Sequence, residues 1–469
     1  MHLPDFKVAR SSDKKDYVTK TYRLNEKYLN KYKGETCYLR TYGCQMNEHD
    51  SENIKGILTL LGFTFTDKMD DANLIILNTC SIRENAHNKA FGLLGRVKHL
   101  KENKPNIKVG LCGCMAQEEI VVKTIMEKYP FVNFVIGTHN FYELPEILEK
   151  EELSNNQQIE VYSREQDLVE RLPVVRASKY KAYVNIIYGC DKFCTYCIVP
   201  YTRGRQRSRK KEDIIKEVED LVKEGYSEVT LLGQNVNAYG KDLYSDYSLA
   251  ELLIDVAKTD IPRIRFMTSH PWDFNDKMIE VIAKYPNIMP SIHLPVQSGS
   301  NRILKLMGRR YTKETYLTLF HKMKEQIPNC TISTDIIVGF PGETDEDFKE
   351  TLDLVKECKY DNAFTFIYSP RVGTPAAKLK DNVSKEVKEA RLQELNCLVN
   401  KYFKENNDKL VGKKLKVLVE GISTKKNEYF GYSETNKLIN FTGDNIKIGD
   451  IVEVLITDSK TWSLDGYVK

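Results

Sequence analysis

Between residues 36 and 136 short apolar runs alternate with stretches of helical spacing. ETCYLRTYGC predicts a strand, the stretch after Asn47 a helix, and Ala72–Leu77 (ANLIIL) a strand buried on both faces. Helical spacing follows over 83–102, strand spacing over 107–111, helical spacing over 118–128 and a short strand over 134–136. Strands that alternate with helices predict βαβ units on a parallel sheet. Ligands bind such sheets beyond the carboxyl ends of the strands. Residues 1–35 are polar and aperiodic, which predicts a poorly ordered N-terminal extension. The polar stretch 151–175 reads as an interdomain linker.

A second alternating block follows. Strands are expected over 182–188, 228–232, 263–267, 291–294, 331–338 and 363–368, with helices between them. Six such units suit a partial (β/α)6 barrel with its site at the C-terminal strand ends. Residues 384–408 spell a long, densely charged amphipathic helix, and 412–469 about five short β-branched strands in a small β-barrel. The fold class is therefore α/β with a C-terminal β-barrel. Its expected divisions are an extension (1–35), an α/β domain (36–150), a linker (151–175), a barrel (176–405) and a C-terminal module (406–469).

The length of 469 residues fits about three domains. Hydrophobic residues make up 41% and charged residues 29%, a soluble globular balance. No run approaches the roughly 18 apolar residues of a membrane span. The first residues lack an apolar core, so no secretory signal and a cytoplasmic location are expected. A net charge of +4 excludes a globally basic nucleic-acid binder but leaves room for a local patch. Eleven cysteines, an odd number, suit a reducing compartment, where clustered cysteines more often ligate metals than form disulfides.

Cys190, Cys194 and Cys197 form C-x3-C-x2-C directly after the first strand of the second block. Three thiolates this close can hold one metal centre. A closed zinc site or a four-thiolate iron–sulfur cluster needs a fourth ligand, and none lies nearby in sequence. A three-thiolate cubane would leave one iron for a chelating ligand; a zinc site completed from a distance is the alternative. Cys44, Cys80 and Cys114 each follow an expected strand at a strand-to-helix junction. In a parallel sheet those junctions share one edge, so these thiolates can converge. Gly43, Thr79 and Gly113 beside them leave room for a cluster to approach. The alternative is buried structural cysteine.

The wording of these segments adds to their spacing. TYGCQMNEHDSE, LNTCSIRENAHNKAFGLLGR, GLCGCMAQ, GCDKFCTYCIVPYTRGRQRSR, LLGQNVNAYG, RFMTSHPWDF, HLPVQSGSNRILKLMGRRYT, STDIIVGFPGETDEDF and YSPRVGTPAA resemble the methylthiotransferase family of radical S-adenosylmethionine (SAM) enzymes. The resemblance covers residues 36–469 and is closest to the branch that makes 2-methylthio-N6-dimethylallyladenosine in tRNA. It implies a radical SAM barrel and a C-terminal TRAM domain that binds RNA. It also implies two [4Fe–4S] clusters, an auxiliary one on Cys44, Cys80 and Cys114 and a SAM-binding one on Cys190, Cys194 and Cys197. Cys112 competes with Cys114, which is preferred because it adjoins the Met-Ala-Gln turn of the family pattern. Cys37, Cys330, Cys358 and Cys397 are read as packing residues.

Further expectations follow. The adenine C2–H bond has neither an acidic proton nor a leaving group, so acid–base and nucleophilic side chains have little purchase on it. A cofactor radical does. The resemblance implies that SAM serves as methyl donor and as radical source. Tyr196, Gln234, Gln297 and the Gly339 turn are candidate SAM contacts, and Thr344 with Asp347 fits a helix-capping pair. Arg203, Arg205, Arg207 and Arg209 crowd behind the cysteine loop and suit phosphate contact, with Lys425 and Lys426 as a second patch. The expected partners are tRNA carrying N6-dimethylallyladenosine and an electron donor such as flavodoxin or ferredoxin. No membrane partner is expected, and the chain is read as a monomer. Sister enzymes act on threonylcarbamoyl-adenosine or a ribosomal-protein aspartate. A non-catalytic RNA-binding protein with structural zinc is the alternative of another class.

Overall fold

The computed structural model describes residues 1–9, 17–81, 84–154, 156–164, 167–423 and 428–468. The chain forms two compact units. The first comprises residues 1–177, 188–193 and 197–207, the second residues 178–187, 194–196 and 208–469.

The first unit runs α1 (Phe6–Ala9), β1 (Thr19–Thr21), β2 (Thr36–Thr41), α2 (Gln45–Leu60), β3 (Thr64–Phe65), β4 (Leu74–Thr79), α3 (Glu84–Asn103), β5 (Lys108–Gly113), α4 (Glu119–Lys128), β6 (Phe134–Ile136), α5 (Leu144–Ser154), β7 (Gln158–Glu160) and β8 (Leu168–Glu170). One parallel sheet has the order β3-β2-β4-β5-β6-β7. Every residue of β4 is buried, as its unbroken apolar run requires. Ile75 and Leu77 pack on one side with Leu94 and Val97; Leu74 and Ile76 pack on the other with Ile57 and Leu58. Along α2 the buried face changes character. After Met46 it runs through Asn47, Asp50, Ser51 and Asn53 and becomes mainly apolar from Ile54 onward. Buried polar groups at a strand end need a partner, which marks that end of the sheet as a site.

Two expectations change here. Where it is described, the N-terminal extension is folded: His2 bridges to Glu160, β1 pairs in parallel with β8, and Tyr28 is buried with its hydroxyl donating to Glu149 at 2.7 Å. The stretch read as a linker supplies β7 and β8. Their strands are only three residues long, too short for periodicity to reveal them.

The second unit begins at β9 (Lys181–Asn185). The loop beyond β9 carries β10 (Ile187–Tyr188), α6 (Val199–Thr202) and β11 (Arg207–Ser208). Then follow α7 (Lys211–Lys223), β12 (Glu228–Leu232), α8 (Leu249–Ala257), β13 (Arg263–Phe266), α9 (Asp276–Lys284), β14 (Ser291–His293), α10 (Asn301–Leu306), α11 (Lys313–Gln326), β15 (Thr331–Val338), α12 (Asp345–Cys358), β16 (Asn362–Ile367) and α13 (Lys385–Asp408). Parallel pairing gives β13-β12-β9 and β14-β15-β16, joined by a bridge between Ile264 and Ile288. The six expected strands thus form the partial (β/α)6 barrel. In β15 the residues Ile332, Thr334, Ile336 and Val338 are buried, while Ser333, Asp335 and Ile337 occupy the more open face.

β17 (Lys414–Ile422), β18 (Tyr429–Ser433), β19 (Leu438–Thr442), β20 (Ile451–Ser459) and β21 (Leu464–Tyr467) close into a barrel of order β17-β18-β19-β21-β20. It docks on the N-terminal ends of the (β/α)6 strands. Arg263 and Arg265 donate to the Ser433 carbonyl at 2.8 and 2.7 Å, and Tyr180 donates to the Glu420 carbonyl at 2.7 Å. Among the described residues no helix is long and apolar enough to cross a membrane.

Candidate metal centres

Cys44, Cys80 and Cys114 stand just past the ends of β2, β4 and β5, three adjacent strands with β4 in the middle. The register aligns those ends: Thr41 lies opposite Asn78, and Thr79 opposite Gly113. The glycines are required there. A Cβ on Gly43 would lie 2.8 Å from the Cys80 Cβ, and one on Gly113, whose φ is +90°, 2.3 Å from Asn78 Oδ1. The buried polar start of α2 scaffolds the edge. Asn78 Nδ2 donates to the Asn47 carbonyl and to Ser51 Oγ, both at 2.8 Å. Asn47 Nδ2 donates to Asn78 Oδ1 at 3.2 Å and to the Thr79 carbonyl at 3.1 Å. The Cys44 thiol donates to Asn47 Oδ1 at 3.4 Å.

Arg203 completes this site. Its Nε donates to Cys114 Sγ at 3.1 Å, and its Nη2 lies 2.6 Å from Asp50 Oδ2. Burial pushes the Cys114 thiol up to about 12, against the pull of the Arg203 charge. A metal must therefore displace a proton to bind it. Cys112 faces the other way, into the apolar core with Cys37, where burial also raises its thiol pKa. Among the described residues no three Cys, His, Asp or Glu side chains gather around a single ion. A cubane takes one thiolate per iron and does not require them to meet at a point. The close glycines, the three strand-end thiols and the guanidinium aimed at one of them fit such a cluster.

The C-x3-C-x2-C loop is also tightly held. In the first unit the Cys190 N–H donates to the Gly204 carbonyl at 3.1 Å, and a Cβ on Gly189 would lie 2.1 Å from the Arg205 carbonyl oxygen. In the second unit the Thr195 N–H donates to the Met307 carbonyl at 2.9 Å and its hydroxyl to the Leu306 carbonyl at 2.8 Å. The Thr195 carbonyl accepts from the Ala376 N–H at 2.8 Å. Arg309 Nη1 donates to Cys194 Sγ at 3.4 Å.

The other expected contacts are distributed as follows. Tyr196 packs against Ile303, Met307, Phe340, Tyr368 and Ala376. Gln234 is half-buried just past β12. Gln297 adopts φ +75°, with its N–H donating to the Asp335 carbonyl and its carbonyl accepting from Ile337, both at 2.9 Å. Gly339 has a reason of its own to be glycine: its φ is +71°, and a Cβ would lie 2.3 Å from Lys388 Cγ.

The arginine run is corrected. Arg203, Arg207 and Arg209 are buried, so they do not form a solvent-facing phosphate patch. Arg209 donates to the Asn185 carbonyl at 2.6 Å and pairs with Glu217 at 2.9 Å. The Arg207 guanidinium lies 6.0 Å from the Tyr188 ring centre. Arg205 alone is partly exposed, 4.5 Å over the Phe193 ring and 3.5 Å from Asp191. Lys425 and Lys426 lie outside the described residues. Cys397 is exposed on α13 rather than packed. Sequence reasoning missed Asp50, Asn47 and Asn78, whose signal was polarity on an inward helix face and at a strand end. It also missed Arg309.

Three family models match the chain: the radical SAM superfamily over residues 184–355, the uncharacterized protein family UPF0004 over 36–137 and the TRAM domain over 408–469. Among solved structures, a radical S-adenosylmethionine methyltransferase from Kitasatospora setae, with cobalamin and a [4Fe-4S] cluster bound, shares the fold. Its TM-score is 0.54 at 13% identity, over 73% of this chain and 77% of that one. Fold and site thus define a radical SAM enzyme with an added N-terminal α/β domain and a C-terminal TRAM barrel. Two curated proteins are similar over nearly the full length. The tRNA-2-methylthio-N(6)-dimethylallyladenosine synthase of Bacillus subtilis (strain 168) is 55% identical over 99% of this chain and 92% of its own. That of Staphylococcus haemolyticus (strain JCSC1435) is 53% identical over 99% and 91%. The chain belongs to the tRNA-2-methylthio-N(6)-dimethylallyladenosine synthase family.

Proposed function

We propose that this protein attaches a methylthio group to C2 of N6-dimethylallyladenosine in the anticodon loop of tRNA. Its cofactors are two [4Fe–4S] clusters and SAM. In this reading Cys44, Cys80 and Cys114 hold the auxiliary cluster, and Cys190, Cys194 and Cys197 the cluster that binds SAM. Bound SAM and its cluster supply the one-electron chemistry that an unactivated C–H bond demands. The chain's own residues hold, orient and seal. Thr195 and the turn after α10 fix the cysteine loop, and Arg203 donates to Cys114. The side-chain network of Asn47, Asn78 and Ser51 keeps α2 packed against the strand ends.

The strongest support is the joint presence of three strand-end thiols on adjacent parallel strands and a C-x3-C-x2-C loop in a chain more than half identical to named synthases. A single-stranded loop presents a splayed base, the usual target of base-specific RNA contact, and needs little unstacking. We further assign a flavodoxin or ferredoxin as electron donor, a monomeric state and a cytoplasmic location. Nucleoside mass spectrometry of a deletion strain tests the reading. N6-dimethylallyladenosine should accumulate and its 2-methylthio derivative vanish; normal levels of the derivative would refute the assignment.

A further inference from the structure

Arg309 is a buried cation, 8% exposed, whose partners carry no formal negative charge. Its Nε donates to Tyr311 Oη at 2.9 Å, its Nη2 to the Pro295 carbonyl at 2.8 Å and its Nη1 to Cys194 Sγ at 3.4 Å. The Tyr311 ring lies 5.2 Å from the guanidinium carbon. Among the described residues no carboxylate lies within ion-pair distance of it. Arg203, Arg209, Arg263, Arg265 and Arg391 are buried to a similar degree, and each holds one: Asp50, Glu217, Glu228, Glu228 and Glu343. Neutral acceptors satisfy the hydrogen bonds of a guanidinium but do not repay the loss of solvation of its charge. The ionisable groups near Arg309 are the Tyr311 and Tyr196 phenols and the Cys194 thiol, and of these only the thiol belongs to the ligand set proposed above.

The surrounding geometry keeps Arg309 in that position. The turn that carries it also binds the neighbouring loop residue: the Thr195 N–H and hydroxyl donate to the Met307 and Leu306 carbonyls. Gly308 adopts φ +71° so that the chain can reverse there, with the Thr195 methyl 3.4 Å from where its Cβ would lie. Tyr311 Oη accepts from Arg309 and donates to the Val296 carbonyl at 2.8 Å, which fixes the guanidinium plane.

We propose that Arg309 is a positioning residue for the SAM-binding cluster: its uncompensated charge faces the Cys194 thiolate and stabilises the reduced, more negative state of the bound cluster. The inference rests on the ligand set proposed above. One-electron reduction adds a negative charge close to a fixed cation in a medium of low dielectric, so the charge raises the reduction potential. The auxiliary site differs, because the Arg203 charge is already met by Asp50 at 2.6 Å.

The test uses the full-length chain with Cys44, Cys80 and Cys114 replaced by Ala, so that one cluster remains, reconstituted anaerobically and titrated by EPR-monitored reduction without SAM. Arg309→Gln keeps hydrogen-bond donors and removes the charge; Arg309→Lys keeps the charge. The Gln protein is expected to load iron and show a more negative midpoint, with the reduced-to-oxidised ratio at fixed poise falling about tenfold, or about 59 mV for one electron. The Lys protein is expected to stay near the parent. Iron loading lost in the Gln protein and rescued in the Lys protein also supports the charge role. An unchanged midpoint in a fully loaded Gln protein, or equal shifts or equal loss of iron in both variants, overturns it. Cys194→Ala in the same background separates the two claims: if it retains the iron, the ligand assignment is what fails.

Discussion

Cys80 follows a strand buried along its whole length, beside Gly43, whose missing Cβ leaves space next to it. Cys80→Ala is therefore expected to leave the fold and SAM cleavage intact. It should halve the iron content, from about eight to about four atoms per chain, and stop sulfur insertion. An unchanged yield of methylthio product would count against the site. Asp50→Asn strands the Arg203 charge in a site where both side chains are no more than 6% exposed. Removing one partner of such a buried pair costs about 3–5 kcal/mol. Denaturant unfolding of the cluster-free protein measures this, and a loss below about 0.5 kcal/mol would mean that the pair is not buried as described. The candidate ligand cysteines stood out in the sequence because thiols at those junctions have few alternative uses. The arginines did not. A charge run in sequence does not tell which side chains turn inward, so Arg203 and Arg209 read as phosphate contacts when Arg203 pairs with the buried Asp50 and Arg209 with the partly buried Glu217. Arg309 carried no signal, because its partner Cys194 is distant in sequence and its turn gives no periodicity.

At the scale of elements, α12 shows how a short motif fixes a helix start. Thr344 Oγ1 accepts from the Asp347 N–H, and Asp347 Oδ2 accepts from the Thr344 N–H at 2.8 Å, the capping pair expected from the sequence. Desolvation works against the Asp347 carboxylate, but hydrogen bonds from Arg302, Ser300 and Thr344 outweigh it and hold its pKa at about 2, below the usual 3.8. A depressed folded-state pKa contributes stability that is complete above the unfolded value and lost as pH falls from about 4 to about 2. The stability gap between wild type and Asp347→Asn, measured on cluster-free protein, should therefore narrow across that range. A constant gap would contradict the assigned pKa. The barrel strands were readable because each buries an apolar face against helices. β1 and β8 were not, since they are joined chiefly by backbone pairing between segments remote in sequence.

For the molecule as a whole, the RNA-binding module is anchored rather than tethered. Arg263 and Arg265 share Glu228 at 3.1 and 2.9 Å and donate to carbonyls at the end of β18, while Lys437 is buried and donates to the Asp361 carbonyl at 3.1 Å. Replacing both arginines with Ala is expected to speed hydrogen exchange around Ser433 and weaken tRNA binding at fixed salt while SAM cleavage continues. Unchanged exchange would show that the anchor lies elsewhere. Composition hid this anchor, because Lys437 reads as one more surface lysine until β16 and the turn before β19 come together.

The central claim is that one chain holds two clusters, each on its own trio of thiolates. Iron and acid-labile sulfide counted anaerobically in three full-length proteins test it most directly: wild type, the Cys44/Cys80/Cys114→Ala variant and the Cys190/Cys194/Cys197→Ala variant. The expected counts are about eight, four and four irons per chain. A variant that keeps the wild-type iron count, or stoichiometric zinc in place of iron, would contradict the account.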